Sequence, residues 1–283
     1  MKILKTIAKL LISVLALYFV FKKIDLTLLW ETIIGANFIF LFVAALLFVS
    51  SQFVSSIRLL YFFKDISIHL GKLYNWKLYL LGMYYNLLFP GGIGGDGYKV
   101  YLLEKMHQKG KVKIIKALLF DRLSGLLGLL VWLCVILALY SSIVSGNLGH
   151  IVVLLIVILL LIVVSYVLVR YIFATHLASF MPSLVLSLLI QGLQLGVCLA
   201  ILASFGVNQN ILAYLALFLI SSIAAVVPIT IGGAGARELT FLAGADYFPI
   251  EINIAIGLSV IFYIITVLAS FIGLYYSFKK ELE

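Results

Sequence analysis

Charge is scarce in this sequence. Asp, Glu, Lys and Arg make up 11% of the 283 residues while 65% are hydrophobic, a balance that cannot clothe a soluble core in a polar shell. Cysteine is nearly missing: Cys134 and Cys198 lie deep in separate apolar runs. They have no paired spacing that would make a disulfide framework or a metal site, and they read as packing residues. Histidine is no richer, with His69, His107, His150 and His176 scattered among the loops. No H-E-x-x-H or paired-carboxylate grouping accompanies them. No catalytic residue, metal ion or cofactor is therefore expected. Long polar stretches are also missing, which leaves no room for a separate soluble domain. The expectation is one all-α, polytopic membrane domain over residues 1–283.

What is abundant is apolar length. Runs of roughly 20 residues suffice to cross a bilayer, and residues 3–22, 38–63, 114–140, 147–170, 183–205 and 251–276 each qualify. The first begins with positive charge as a secretory signal does, but it lacks a small-residue cleavage site and continues into Lys22 and Lys23, so it reads as a retained helix. Segments 74–104 and 211–245 differ: each is apolar, is interrupted by proline and glycine, and resumes as a shorter, more polar piece.

Loop charge decides how those two run, since Lys and Arg collect in short cytoplasmic loops. Place the N-terminus inside with Lys2, Lys5 and Lys9, and let each weak segment enter and return on one side. The basic stretch from Lys99 to Lys116 and the terminal Lys279 and Lys280 then fall inside, while uncharged loops such as SSIVSGNLGH fall outside. Eight complete crossings would strand the Lys105 to Lys116 cluster outside. The preferred reading is about six full transmembrane helices plus two re-entrant helical hairpins, with both termini cytoplasmic. The net charge of +9 then reports topology, and no nucleic-acid partner is expected.

The interruptions are alike. PGGIGGDGYK (Pro90 to Lys99) and PITIGGAGAR (Pro228 to Arg237) both read P-x-x-I-G-G-x-G-x-(K/R). Three full spans separate them, an odd number, which makes an inverted repeat with units about 38–140 and 183–276. The embedded G-x-G-x-x-G follows membrane helix and not a strand, so it is no dinucleotide fingerprint. Inverted repeats with broken helices are the signature of transporters that alternate access around a midplane site. Glycines that break a helix at membrane depth leave backbone groups needing protein, water or ligand partners. The tips are therefore expected to share a polar cavity. There Pro90, Gly91, Gly92, Gly94, Gly95 and Gly97, with Pro228, Gly232, Gly233 and Gly235, would turn free amides and helix N-termini toward an anion, most naturally a phosphate.

Charged residues near the hydrocarbon complete the candidate set. Asp121-Arg122 in LLFDRLSG either anchors a helix end at the interface or lines an inner vestibule. Arg237-Glu238 sits within the repeated motif, and Lys99 occupies the matching position in the first copy. Asp96 either caps a helix start or orients a ligand. Substrate-binding candidates are thus Asp96, Lys99, Asp121, Arg122, Arg237 and Glu238. Asn86, Gln191 and Gln194 lie inside apolar runs and read as links between helices.

NLLFPGGIGGDGYK (Asn86 to Lys99), FDRLSG (Phe120 to Gly125) and VPITIGGAGARE (Val227 to Glu238) resemble, in order, the patterns of the lysylphosphatidylglycerol synthase transmembrane, or flippase-like, membrane protein family. The resemblance covers nearly the whole chain. In the family's larger members this domain flips an aminoacylated phospholipid across the bacterial cytoplasmic membrane, and a separate soluble domain attaches the amino acid. This chain ends at Glu283, so the expectation omits the soluble aminoacyl-transferase domain. The resemblance implies a lipid translocase in a bacterial inner membrane, acting on a phospholipid, an aminoacyl-phospholipid or a polyprenyl-phosphate glycolipid, and it carries over Pro90, Gly94, Gly95, Asp96, Asp121, Arg122, Pro228, Gly232, Gly233, Arg237 and Glu238. Two other readings stand beside it. One is a non-transporting partner of a lipid synthase or glycosyltransferase; the other is a membrane enzyme acting on a lipid phosphate through Asp96, Asp121 or Glu238.

Overall fold

The computed structural model describes residues 26–88, 94–145, 149–226 and 235–278. The span expected at 3–22, and the tip residues Pro90, Gly91, Gly92, Pro228, Gly232 and Gly233, lie outside them. The described residues form ten α-helices and no strand: α1 (Leu26–Ile34), α2 (Phe38–Asp65), α3 (Lys72–Leu88), α4 (Gly94–His107), α5 (Lys111–Ser145), α6 (Gly149–Ile172), α7 (Phe180–Ser204), α8 (Ile211–Val226), α9 (Ala236–Gly244) and α10 (Ile252–Phe278). A short 3-10 turn, Ala174–His176, joins α6 to α7. Five of the helices, α2, α5, α6, α7 and α10, are long and apolar enough to cross a membrane.

Two helices organise the rest. α2 and α7 lie antiparallel along their lengths, pinned at both ends. At one end Asn37 donates its N–H to the Ser204 carbonyl at 2.9 Å while its side chain caps α2 by accepting from Ile39 N–H. At the other, the Ser179 hydroxyl donates to Asp65 at 2.8 Å. Each helix closes with the same double hydrogen-bond cap: Ile68 to Phe63 and Ser67 to Lys64 after α2, Val207 to Leu202 and Gly206 to Ala203 after α7.

The interrupted segments become paired arms. α3 packs on α4, and α8 packs on α9. The second arms have 14 and 9 residues, short of the roughly 20 that a crossing needs. Each pair exchanges neighbours with the opposite half of the chain: α3 lies against α10, and α8 lies against α5. α6 packs chiefly on α5 and is otherwise a bare apolar rod, with Val152, Leu155, Leu159 and Val163 exposed, a surface that hydrocarbon satisfies.

The apolar core is split in two. One cluster gathers Phe48, Ile201, Phe218 and Phe262; the other gathers Phe62, Leu78, Leu102, Phe120 and Phe180. Along α2 the residues between them are Ser51, Gln52, Ser55, Ser56 and Arg58, and α7 faces that level with Ser187, Gln191 and Gln194. A polar layer therefore crosses the middle of the helix bundle, and Asn86 of α3 and Arg237 of α9 share a cavity with its Gln52 and Gln194.

Candidate functional site

The first broken segment is internally closed. α4 starts at Gly94, and the Gly95 N–H donates to Asn86 Oδ1 of α3 at 2.8 Å. The two arms meet backbone to backbone here, because a Cβ on Gly95 would collide with the Gly82 carbonyl. Asp96 then takes two cations. Arg122 of α5 donates to its Oδ2 at 2.7 Å, and Lys99 Nζ lies 3.6 Å from its Oδ1. Lys99 is buried, its side chain 6% exposed, with the ammonium 4.6 Å from the centre of the Tyr79 ring, a cation–π contact. One residue before Arg122, Asp121 accepts from Arg58 Nε of α2 at 2.8 Å. Arg58 also donates to the Ser187 hydroxyl of α7 at 2.9 Å, so this ion pair ties three spans together.

The second broken segment is open. Gly235, at φ 85, turns the chain into α9 in the left-handed region where glycine is favoured. Its N–H donates to Glu238 Oε2 at 2.7 Å, and Ser259 of α10 donates to the other carboxylate oxygen at 2.8 Å. Glu238 is thereby fully used as a helix cap. Arg237 is not. Its guanidinium donates to the Ser222 hydroxyl at 3.1 Å and lies 4.7 Å from the centre of the Phe262 ring. Among the described residues no carboxylate comes within 4.0 Å of it.

Two cavities flank these segments. The first, about 300 Å³, is lined by Arg237, Asn86, Gln52, Gln194, Tyr79 and Thr266 among others. It holds residues of α3 and α9 together, the arms that border the two interruptions. The Gln194 amide donates across it to Ser51 at 3.1 Å. The second, about 500 Å³, has apolar walls including Leu118, Leu119, Leu126 and Val226, with the Asp96–Arg122 pair and Gly97 at its polar side. One is therefore amide-lined with a single cation, and the other is greasy with a neutralised one.

Over residues 6–273 the chain matches the family described as the lysylphosphatidylglycerol synthase TM region. The chain belongs to that family. Neither the curated proteins nor the solved structures yield a match. Membership agrees with five membrane-length helices and makes this a multi-pass, lipid-related membrane protein.

Within this synthase TM-region chain the six charged candidates separate. Arg237 lines the amide cavity, Asp96 and Arg122 the apolar one, and Lys99, Asp121 and Glu238 line neither. Lys99, Asp121 and Glu238 are held inside the protein by Asp96, Arg58 and the start of α9. The expectation of free glycine amides is corrected at two positions: the Gly95 and Gly235 N–H groups are engaged by Asn86 and Glu238. An unpartnered N–H at membrane depth costs several kcal/mol, of the order that removal from water imposes, and a nearby side chain meets that need. Arg58 is absent from the sequence candidates, yet it holds Asp121 in place. Its position inside the apolar run 38–63 was the available signal.

Proposed function

We propose that this protein is a lipid translocase, moving a phosphate-bearing lipid between the leaflets of a bacterial cytoplasmic membrane. The lipid is a phospholipid, an aminoacyl-phospholipid or a polyprenyl-phosphate glycolipid. In this reading the chain has six full spans and two re-entrant hairpins, α3–α4 and α8–α9, related as an inverted repeat with both termini cytoplasmic. The exchanged packing of α3 on α10 and α8 on α5 supports that symmetry, because an inverted pair of units must make equivalent contacts twice.

One observation carries the functional reading: Arg237 lines a cavity of about 300 Å³ in the helix bundle, with Asn86, Gln52 and Gln194 as further polar groups and, among the described residues, no carboxylate within 4.0 Å of it. A guanidinium at such depth is costly unless something anionic visits it, and its planar fork suits phosphate oxygens. Asp96 and Arg122 mark the side of the apolar cavity, where acyl chains would lie against Leu118, Leu119 and Leu126.

Vesicles reconstituted with pure protein test this. Labelled phosphatidylglycerol should exchange between leaflets faster than in protein-free vesicles, and a lipid without phosphate should not. Arg237→Ala should lower the rate by roughly 10- to 100-fold, the loss of a charged hydrogen-bonding partner. If the variant exchanges every tested lipid at the unmodified rate, the assignment is wrong. Single-cysteine labelling in a Cys134→Ser/Cys198→Ser background checks the hairpin: positions 72 and 109 should react from the same side of the membrane.

A further inference from the structure

A third cavity, of about 340 Å³, lies where α2 ends, α5 begins and the turn before α7 passes. It shares no lining residue with the two cavities already described. Its polar wall is Asp65 and Ser67 from the end of α2, Lys113 and Lys116 from the first turns of α5, and Thr175 and His176 from the 3-10 turn.

His176 is the informative member. It is 2% exposed, stacked on Phe120 with ring centres 5.4 Å apart and edge-on to Phe62 at 5.8 Å. Its Nδ1 lies 2.9 Å from Asp65 Oδ2. An ionised carboxylate only accepts, so Nδ1 carries the proton and donates. The Ser179 hydroxyl donates to the other oxygen, Oδ1, at 2.8 Å, and both Asp65 oxygens are thus engaged away from any ligand. His176 Nε2 has no hydrogen-bond partner among the described residues. A buried imidazole oriented through one nitrogen, with the other unpartnered at a cavity, is the arrangement of a ligand-reading group. It is not a Ser-His-Asp nucleophile site, because Ser179 bonds the aspartate and not Nε2.

We propose that this cavity binds a phosphate group. Lys113 and Lys116 stand three residues apart on one face of α5 and supply the charge. Ammonium groups serve phosphate as point charges, while Ser67, Thr175 and His176 Nε2 supply hydrogen bonds. With Nδ1 carrying the proton, Nε2 accepts from a protonated phosphate oxygen. The volume lies at the lower end of small-molecule sites, roughly 300 to 1,000 Å³, which suits a headgroup or a small phosphate ester. The source is either an anionic lipid of the adjoining leaflet or a soluble phosphate compound. The proposal does not rest on translocation and holds equally in a chain that moves no lipid.

The test uses the full chain, labelled on histidine nitrogen, in maltoside micelles, which carry no phosphate. His176 is assigned by the signal lost in His176→Gln. Inorganic phosphate is added to one sample and phosphatidylglycerol to another, at fixed pH. Movement of the His176 Nε2 signal with inorganic phosphate identifies a soluble phosphate ligand, and movement with phosphatidylglycerol alone identifies a lipid headgroup. In either case Lys113→Gln/Lys116→Gln should weaken half-saturation roughly tenfold or more. Both lysines are exposed, and a ligand-free signal from the buried His176, stacked on Phe120, that matches the unmodified protein reports that the variant is folded. A His176 signal unmoved by either probe, or moved equally in the double-lysine variant, overturns the proposal.

Discussion

The two interrupted segments carry one motif and end in opposite electrostatic states. In P-x-x-I-G-G-x-G-x-(K/R) the seventh position is Asp96 in the first copy and Ala234 in the second. Asp96 neutralises the cation of its own motif, Lys99, and reaches Arg122 as well. Arg237 has no carboxylate within 4.0 Å among the described residues and faces the amide-lined cavity instead. The first copy thus has its cation paired within the motif, while the cation of the second faces a cavity. Nearby, Arg58 and Asp121 neutralise one another in the same way.

The largest effect should come from reopening that closed unit. Asp121→Ala leaves Arg58 buried without its partner, and removing one member of a buried pair costs about 3–5 kcal/mol. Thermal unfolding of the purified protein should show it. Arg58→Met/Asp121→Leu, which removes both charges, should recover most of the loss, because an apolar pair of similar volume is often neutral. Were the double variant as unstable as the single, the pair would be doing more than compensating itself, and the contrast between a closed and an open unit would fail.

Next comes packing, where the two units also differ. A Cβ at Gly95 meets the Gly82 backbone, whereas the nearest atoms to one at Gly244 of α9 belong to the Leu217 side chain. Backbone cannot yield as a leucine methyl can. Gly95→Ala should therefore destabilise by about 1–3 kcal/mol, and Gly244→Ala by clearly less, in the same unfolding measurement. Equal losses would mean that the arms of the first pair are free to separate.

A smaller effect is expected from moving the carboxylate across the repeat. Ala234→Asp gives Arg237 the neighbour that Lys99 already has, and should slow leaflet exchange by roughly tenfold, about 1.4 kcal/mol. Lys99→Met, in the closed copy, should leave exchange within about twofold once folded protein is counted, since an internal cation has no ligand to lose. A slowing by Lys99→Met that matches Ala234→Asp would place both cations on the lipid path and erase the distinction.

Much of the fold could be read from the chain because membrane-crossing length is a property of composition. Runs at 38–63 and 183–205 became α2 and α7 with bounds shifted by a few residues at most, and the two proline and glycine stretches follow Leu88 of α3 and Val226 of α8 in the chain. The site was legible only in part. Pairings such as Arg58 with Asp121 and Asp96 with Arg122 join residues 63 and 26 positions apart, and no local pattern encodes them. The same holds for amides: a glycine string announces exposed N–H groups, but Asn86 and Glu238 decide which are taken. Arg237 stood out in sequence as one half of a repeat. That no described carboxylate comes within 4.0 Å of it is a fact of three-dimensional placement and not of local sequence.

The smallest effect concerns Gln194, whose amide donates to the Ser51 hydroxyl between α7 and α2 while also lining the Arg237 cavity. Hydrogen bonds between membrane helices average only about 0.6 kcal/mol. Gln194→Leu should therefore change stability by about that much, and a pure packing link would lower exchange no further. Gln52 offers the control, because it lines the same cavity and, among the described residues, bonds within its own helix, to Ser51 at 3.2 Å. If Gln194→Leu slows exchange severalfold more than Gln52→Leu at matched stability, the amide touches the lipid headgroup and the open site includes α7. Were the two to slow exchange alike, Gln194 would be a fastener, and recognition would rest on Arg237 with the α3 and α9 residues around it.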